Sequence, residues 1–539
     1  LGSLHEDDIL AILNEEDNPS LEDSDSEIED ESGLSEETNP ALDAEADPSS
    51  NADCLSPPSN SGRIYHVRGN TLRGKNVHIW STVKAQTSHR TPAMNIVRTS
   101  RGPARMCKNV FDPVQIFNLF ITDEILSEIV KWTNVEMISK RQKIGKVTAT
   151  HRDVTDLEIP AFIGLLTLTA VMKDNHLSTD ELFDPTFSGT RYVSVMSKER
   201  FEFIVRCLRM DDKTLRSTVR PTEIYQDRTA NRNVWELFIK QCQINYIPGS
   251  EVIIDEQLLG FRGRCPFRIY IPNKPDKYGI KFPMMCDATS KYMVDADPYV
   301  GRSTNTGGVP LGEFYIKKLL QTIHGSNKNI TCDNWFTSIP LAKNLLQQPY
   351  NLTLVDTIRS NKREIPEQLK NSRSRPVGSS MFCFDGPLTL VSYKPKPAKM
   401  VYLLSSCNEN AVINDSSGGV PFTNRWPMAV FYGILNMAFV NSAIIYGHNM
   451  IKTNKKPLNR RNFMKQLSTD LVTPWMEKRL EAPTLKRSLR DNISQILVKP
   501  TDSNNINPEE EPEMSRLVCY KCKKSVCGEH MVDICVDCS

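Results

Sequence analysis

Residues 249–261 read GSEVIIDEQLLGF, and the class of fold turns on them. Gly249 ends a region of helical periodicity. Val252, Ile253 and Ile254 then form a short β-branched run that stops at Asp255. Such a run reads as a strand, and its terminal carboxylate is fixed at the rim of a sheet. Residues 330–333, ITCD, repeat the pattern with Asp333 at the end. Two such strands side by side can hold a pair of acids on one hard cation. Bare carboxylates about 4 Å apart repel by roughly 1 kcal/mol even at water's dielectric, so a close pair calls for the cation. The alternative is that each Asp simply opens a turn.

Strand-like segments follow in series: RIYIP, YGIKFPMMCDA and KYMVDADPYVG. After them come a helix from about 311 (LGEFYIKKLLQTI), the strand NITCD, a helix at SIPLAKNLL and the strand LTLVDTIR. This order predicts an α/β layer on a mixed sheet over residues 249–360. MFCFDG, LTLVSYKP and KMVYLLSS add a small β insertion within 361–417. Before Gly249, residues 112–248 read as all-helical. Asp112 before Pro113 is a start signal, and Thr122 precedes a run with apolar residues at 125, 126, 129 and 130. Thr155 and Glu158 have capping-box spacing, and further helices start near 197 and 233. Helices return over 421–498, and 499–514 is a polar linker. The fold class is multidomain, α/β plus all-α, as a chain of 539 residues allows.

Trp426 to Gly447 is 22 residues without a charge, with basic residues on both flanks. Length alone would permit a membrane span. Pro427, Asn436, Asn441 and Ser442 favour a buried core helix instead, and no membrane partner is expected. Thr423 and Asn424 can cap its start.

The net charge of +1 conceals an asymmetry. Residues 1–62 hold 19 Asp or Glu and no Lys or Arg, so the other 477 residues carry a charge of +20. The acidic tail is too polar and too self-repelling to offset its ordering entropy and is expected to be disordered. Ser24 and Ser26 each have an acid three positions on, which suits an acid-directed kinase. Residues 63–111 are the reverse, with ten Lys or Arg, no acid, and Tyr65 and Trp80 interleaved. This basic arm fits an extended nucleic-acid contact with aromatics available for stacking, or a solvated linker.

Of the 14 cysteines, nine are scattered between Cys54 and Cys407 and five fall in the last 21 residues. The scattered set suits a reducing compartment. In the terminal segment CYKCKKSVCGEHMVDICVDC, residues Cys519, Cys522, Cys527, His530, Cys535 and Cys538 have the spacing of zinc ligands.

Several stretches are distinctive beyond these patterns: IDEQLLGFRGRCPFRIYIPNKPDKYGIK, ITCDNWFTSIPLAKNLL, RSNKREIPEQLKNSRSRPVGSSMFCFDGPLTLVSYKPKPAKMVYLLSS and TNRWPM. They closely resemble the piggyBac family of DNA transposases, and the resemblance runs from the acidic tail to the final cysteines. It implies a ribonuclease H-like catalytic core in which aspartates hold two divalent ions, Mg²⁺ or Mn²⁺, for cut-and-paste transposition at TTAA sites. It further implies a helical DNA-binding and dimerisation domain at 112–248 completed by 421–498, a homodimer on double-stranded transposon terminal repeats, and a nuclear location. Asp255, in IDEQ, and Asp333, in CDNW, match the first two catalytic aspartates.

The third is expected after Gly-Gly-Val, in a stretch reading GGVDTLDQ. Here Gly418, Gly419 and Val420 are followed by Pro421, Phe422 and TNRW. Against the family pattern, the last catalytic strand, the third Asp, its neighbouring Asp and the helix that carries them are absent. Asp415 is the nearest substitute, but it precedes the glycines. In-line cleavage uses one metal to activate the attacking oxygen and a second, about 3.5–4 Å away, to stabilise the leaving oxygen. Two acids leave the second ion without an anchor, so the ribonuclease H-like core is incomplete and the chain is expected to be inactive or severely impaired.

The resemblance also implies that residues 515–539 are a reduced form of an eight-ligand cross-brace zinc finger. Cys519, Cys522, Cys535 and Cys538 would form a complete Zn²⁺ site, with Cys527 and His530 as half of another. KTNKKPLNRR, at 452–461, is the best nuclear-import candidate. Three functional readings follow: a degraded or domesticated transposase that retains DNA binding, an active transposase whose sequence here lacks an exon, and a zinc-dependent interaction protein without a DNA function.

Overall fold

Val252 and Ile254 are fully buried in a ten-residue strand, and the sheet is assembled around it. The computed structural model describes residues 70–497 apart from 84–96, 98, 213–231, 264, 266, 273, 275, 302, 303, 305, 372–374 and 408–425, together with 517, 518, 525 and 526. The chain divides into two compact units, Leu1–Trp475 and Met476–Ser539.

In the first unit the strands are β1 (Thr71–Arg73), β2 (Ile79–Ser81), β3 (Gly102–Pro103), β4 (Tyr246–Ile247), β5 (Glu251–Gly260), β6 (Ile269–Tyr270), β7 (Tyr278–Asp287), β8 (Met293–Ala296), β9 (Asn329–Cys332), β10 (Thr353–Thr357), β11 (Ser380–Asp385), β12 (Leu388–Lys396) and β13 (Lys399–Ser405). All but β3 and β4 join one sheet in the order β1-β2-β11-β12-β13-β10-β9-β5-β7-β6, with β8 also on β7. β9 runs parallel to both β5 and β10, and antiparallel pairs flank this centre on either side. Residues 380–405 thus extend the central sheet through the β10–β13 pairing and are continuous with it.

The longer helices are α1 (Pro113–Asn118), α2 (Asp123–Gln142), α3 (Glu158–Met172), α4 (Lys198–Cys207), α5 (Arg232–Asn245), α6 (Leu311–Leu319), α7 (Ile339–Leu345), α8 (Trp426–Lys452) and α9 (Arg460–Leu480). Asp112 and Thr122 cap α1 and α2 by accepting from the Gln115 and Ile125 backbone N–H groups, as their sequence positions predict.

Three local expectations fail. The strand expected to stop at Asp255 runs on to Gly260, with Asp255 paired to Met284, so this carboxylate stands mid-strand and not at its end. Thr155 and Glu158 do not form a capping box; the Thr155 hydroxyl has no partner and Glu158 turns inward. The Glu158 carboxylate takes two hydrogen bonds from Arg200 and two from Arg152, because a buried acid gains more from two guanidinium forks than from one backbone N–H. Nor is Trp80 available to stack on a base. It is fully buried, with its indole N–H donating to the Glu364 carbonyl at 2.9 Å. The β1–β2 hairpin that carries it pairs onto β11 through Ser81 and Phe384.

α8 is long and apolar enough to cross a bilayer, yet 72% of its apolar window is buried inside the protein. Gly433 lets it lie against β5, where a Cβ would meet Leu259 Cδ1 at 2.7 Å. Asn441, also fully buried, accepts from the Met293 N–H at 3.0 Å and donates to the Met293 carbonyl at 2.9 Å. The side-chain amide thus pairs with the edge strand β8 as a neighbouring strand would.

In the second unit a helix spans Arg487–Leu497, and Leu517–Val518 pairs antiparallel with Ser525–Val526.

Candidate functional site

Ile254 of β5 and Cys332 of β9 are register partners in the parallel pairing. The next residue along each strand is an aspartate, so Asp255 and Asp333 stand on adjacent chains at the same level. Both are exposed. One oxygen of each accepts from local backbone: Asp255 Oδ1 from the Glu256 N–H at 2.7 Å, and Asp333 Oδ2 from the Trp335 N–H at 3.3 Å. Among the described residues, neither carboxylate is within ion-pair distance of a Lys or Arg. Such a donor set, two neighbouring hard oxygens facing solvent with only the more distant Lys281 ammonium acting on them, fits one divalent cation.

The surroundings hold charge of both signs. Glu256 pairs with Lys274 at 3.5 Å. The Lys281 ammonium lies 4.0 Å from the Trp335 ring centroid, and burial pulls its pKa below the ordinary lysine value against the opposing pull of Glu256. Asp356 of β10 was not singled out from the sequence. It is buried, takes a hydrogen bond from the Thr337 hydroxyl, and is pushed up to about 6 by that burial. Thr337 in turn sits in the loop that follows Asp333. A lone Asp inside LTLVDTIR carries no local mark of this role.

The remaining predicted ligands lie outside the described residues: Asp415 and the Gly418–Val420 joint, and Cys519, Cys522, Cys527, His530, Cys535 and Cys538 of the terminal segment. Among the described residues no group of three or more His, Cys, Asp or Glu is placed to hold a metal. The described cysteines outside that segment are free thiols. Burial raises the thiols of Cys242 and Cys332 well above the ordinary value and that of Cys286 to about 12, so these three are neutral and inert at physiological pH.

Residues 112–420 match the family model described as transposase IS4. A cryo-EM structure of a piggyBac transposase synaptic complex with hairpin DNA is similar at 55% identity and a TM-score of 0.70, covering 82% of this chain and all of that one. The chain belongs to the piggyBac transposase family. Human piggyBac transposable element-derived protein 3 is 25% identical over 251 residues, which are 45% of this chain and 39% of that protein. The human chimeric ERCC6-PGBD3 protein is 25% identical over 251 residues, 22% of its own length. The piggyBac-family chain therefore spans well under half of each of these two human relatives. Its mixed α/β sheet with many surrounding helices is the architecture it shares with the piggyBac transposase.

Proposed function

We propose that this piggyBac-family chain is a transposase-derived protein that binds double-stranded DNA, and that its ancestral strand cleavage and transfer at TTAA sites is severely impaired. The observation that carries the reading is the Asp255–Asp333 pair, which the parallel β5–β9 register sets side by side, with one oxygen of each left without a donor among the described residues. A bound Mg²⁺ or Mn²⁺ would supply Lewis-acid activation of a phosphodiester there. Asp255 and Asp333 would hold one such ion weakly, with water filling its other positions; the family's second ion calls for a third carboxylate, and the sequence passes from Val420 to Thr423 without one. The ribonuclease H-like core is thus read as incomplete.

A strand-cleavage assay on a matched transposon end with Mg²⁺ tests the reading. Absent or trace nicking is expected, and efficient nicking would overturn the impairment. Reading the transcript across codons 417–423 separates a genuine deletion from a missing exon, in which case the native product is an active transposase.

The finer parts of the proposal rest on sequence. A Zn²⁺ site of Cys519, Cys522, Cys535 and Cys538, with Cys527 and His530 as a half site, is supported by ligand spacing. The short ribbon of Leu517–Val518 and Ser525–Val526 brackets the first cysteine pair. One zinc per chain is expected by elemental analysis. A homodimer and a nuclear location, the latter through residues 452–461, complete the reading.

A further inference from the structure

Two parts of the chain lack acids altogether. Residues 63–111 contain ten Lys or Arg, and residues 416–469 contain seven more. The fold joins them. Asn449, fully buried near the end of α8, donates through Nδ2 to the carbonyls of Cys107 at 2.6 Å and Val110 at 2.8 Å. Gly102, at φ +129°, lies so close that a Cβ there would meet the His448 ring at 2.8 Å. The segment carrying Arg101, Arg105 and Lys108 is thereby bolted to the helix end carrying His448 and Lys452. The backbone N–H of Lys455 closes the helix on the Met450 carbonyl, which brings Lys455 and Lys456 to the same end.

These cations are unneutralised. Arg101, Arg105, Lys108, Lys452, Lys455 and Lys456 are all exposed, and none makes an ion pair with a carboxylate among the described residues. Burial and the nearby Lys452, Arg101 and Lys108 hold the His448 imidazole below its ordinary pKa, so the ring is neutral and the lysines and arginines carry the charge. Cations at the last turn of a helix offset its carbonyl dipole, and that accounts for Lys452. It does not account for Arg101, Arg105 and Lys108, which arrive from a different segment and add repulsion.

From this juxtaposition we infer that the docked 101–108 segment and the C-terminal end of α8 together form one contact surface for the phosphate backbone of double-stranded DNA, read without regard to base sequence. The inference rests on the DNA-binding reading above and assigns that binding a place. Exposed, unpaired cations on a rigidly joined surface are what counterion release requires.

The test is fluorescence anisotropy of the full chain on a duplex of arbitrary sequence, across about 50–200 mM salt. The Lys452→Gln/Lys455→Gln/Lys456→Gln variant is compared with Arg105→Gln/Lys108→Gln; every substituted side chain is exposed, and melting curves confirm that both variants fold. The slope of log K against log salt is expected to fall by about 3 in the first variant and about 2 in the second, with affinity dropping at least about tenfold at the higher salt. Unchanged slopes in both, with the parent chain still salt-sensitive, would overturn the surface and leave DNA binding intact. Loss of nuclear import in the first variant with an unchanged slope would overturn it in favour of an import-receptor contact. A parent chain that binds no duplex in a salt-dependent way would overturn the DNA-binding reading itself.

Discussion

The Thr337 hydroxyl donates to the buried carboxylate of Asp356 and lies 3.4 Å from the carbonyl oxygen of Asp333. One hydroxyl therefore ties strand β10 to the loop in which Asp333 sits. Thr337→Val keeps the shape and removes the donor, leaving a buried carboxylate one partner short. We expect a loss of roughly 1–3 kcal/mol in stability and faster hydrogen exchange at the Phe336 amide, which bonds the Asp333 carbonyl. Unchanged exchange at Phe336 would show that the loop holds without the clamp.

Asp295 and Asp356 work against stability at neutral pH. Burial pushes their carboxyls up to about 7 and about 6, from 3.8. Each binds its proton more tightly folded than unfolded, so from about pH 4 upward the folded state holds more protons and stability declines as pH rises through the folded pKa. Asp295→Asn keeps an acceptor for the Gln243 amide, which donates to Asp295 at 2.9 Å. The variant should gain on the order of a few kcal/mol above pH 7, with the gain vanishing below about pH 4. Melting temperatures across that range check this, and a gain independent of pH would contradict it.

Glu158→Ala should be among the most damaging single changes. It leaves Arg200, itself 4% exposed, without its charge partner. Removing one member of a buried pair costs about 3–5 kcal/mol. Urea denaturation should show a shift of that size. Glu367→Ala, which breaks an exposed pair with Lys75, should leave the midpoint unmoved.

Asn441→Leu should also destabilise, by roughly 2–4 kcal/mol, because the Met293 N–H and carbonyl would both lose their partner in a dry interior. A variant as stable as the parent would mean that β8 finds another partner.

The fold was legible where the signal is local. Residues 252–254 and 330–332 became neighbouring parallel strands, although only Asp333 follows a strand end, and Asp112 and Thr122 cap the helices they precede. It was misread where a distant group decides. Glu158 has the spacing of a capping residue but is claimed by Arg200, 42 residues on. Trp80 reads as an available aromatic until Glu364, 284 residues away, takes its N–H. Asp356 went unseen because a single acid within a strand looks like any edge residue until Thr337 is placed beside it. The roles of Asp255 and Asp333 came from resemblance, since spacing alone left a turn equally open.

The Asn449 amide spans 342 residues to reach Cys107. At about 5–20 residues per second, a ribosome needs roughly 20–70 seconds to cross that interval. Throughout it, the carbonyls of Cys107 and Val110 lack the Asn449 amide, and Phe117 of α1 awaits its stacking partner Phe439. The nascent N-terminal third cannot complete this packing until the last third has emerged. Late completion of the N-terminal packing is therefore written into the topology of this chain, whatever the stability of the finished protein.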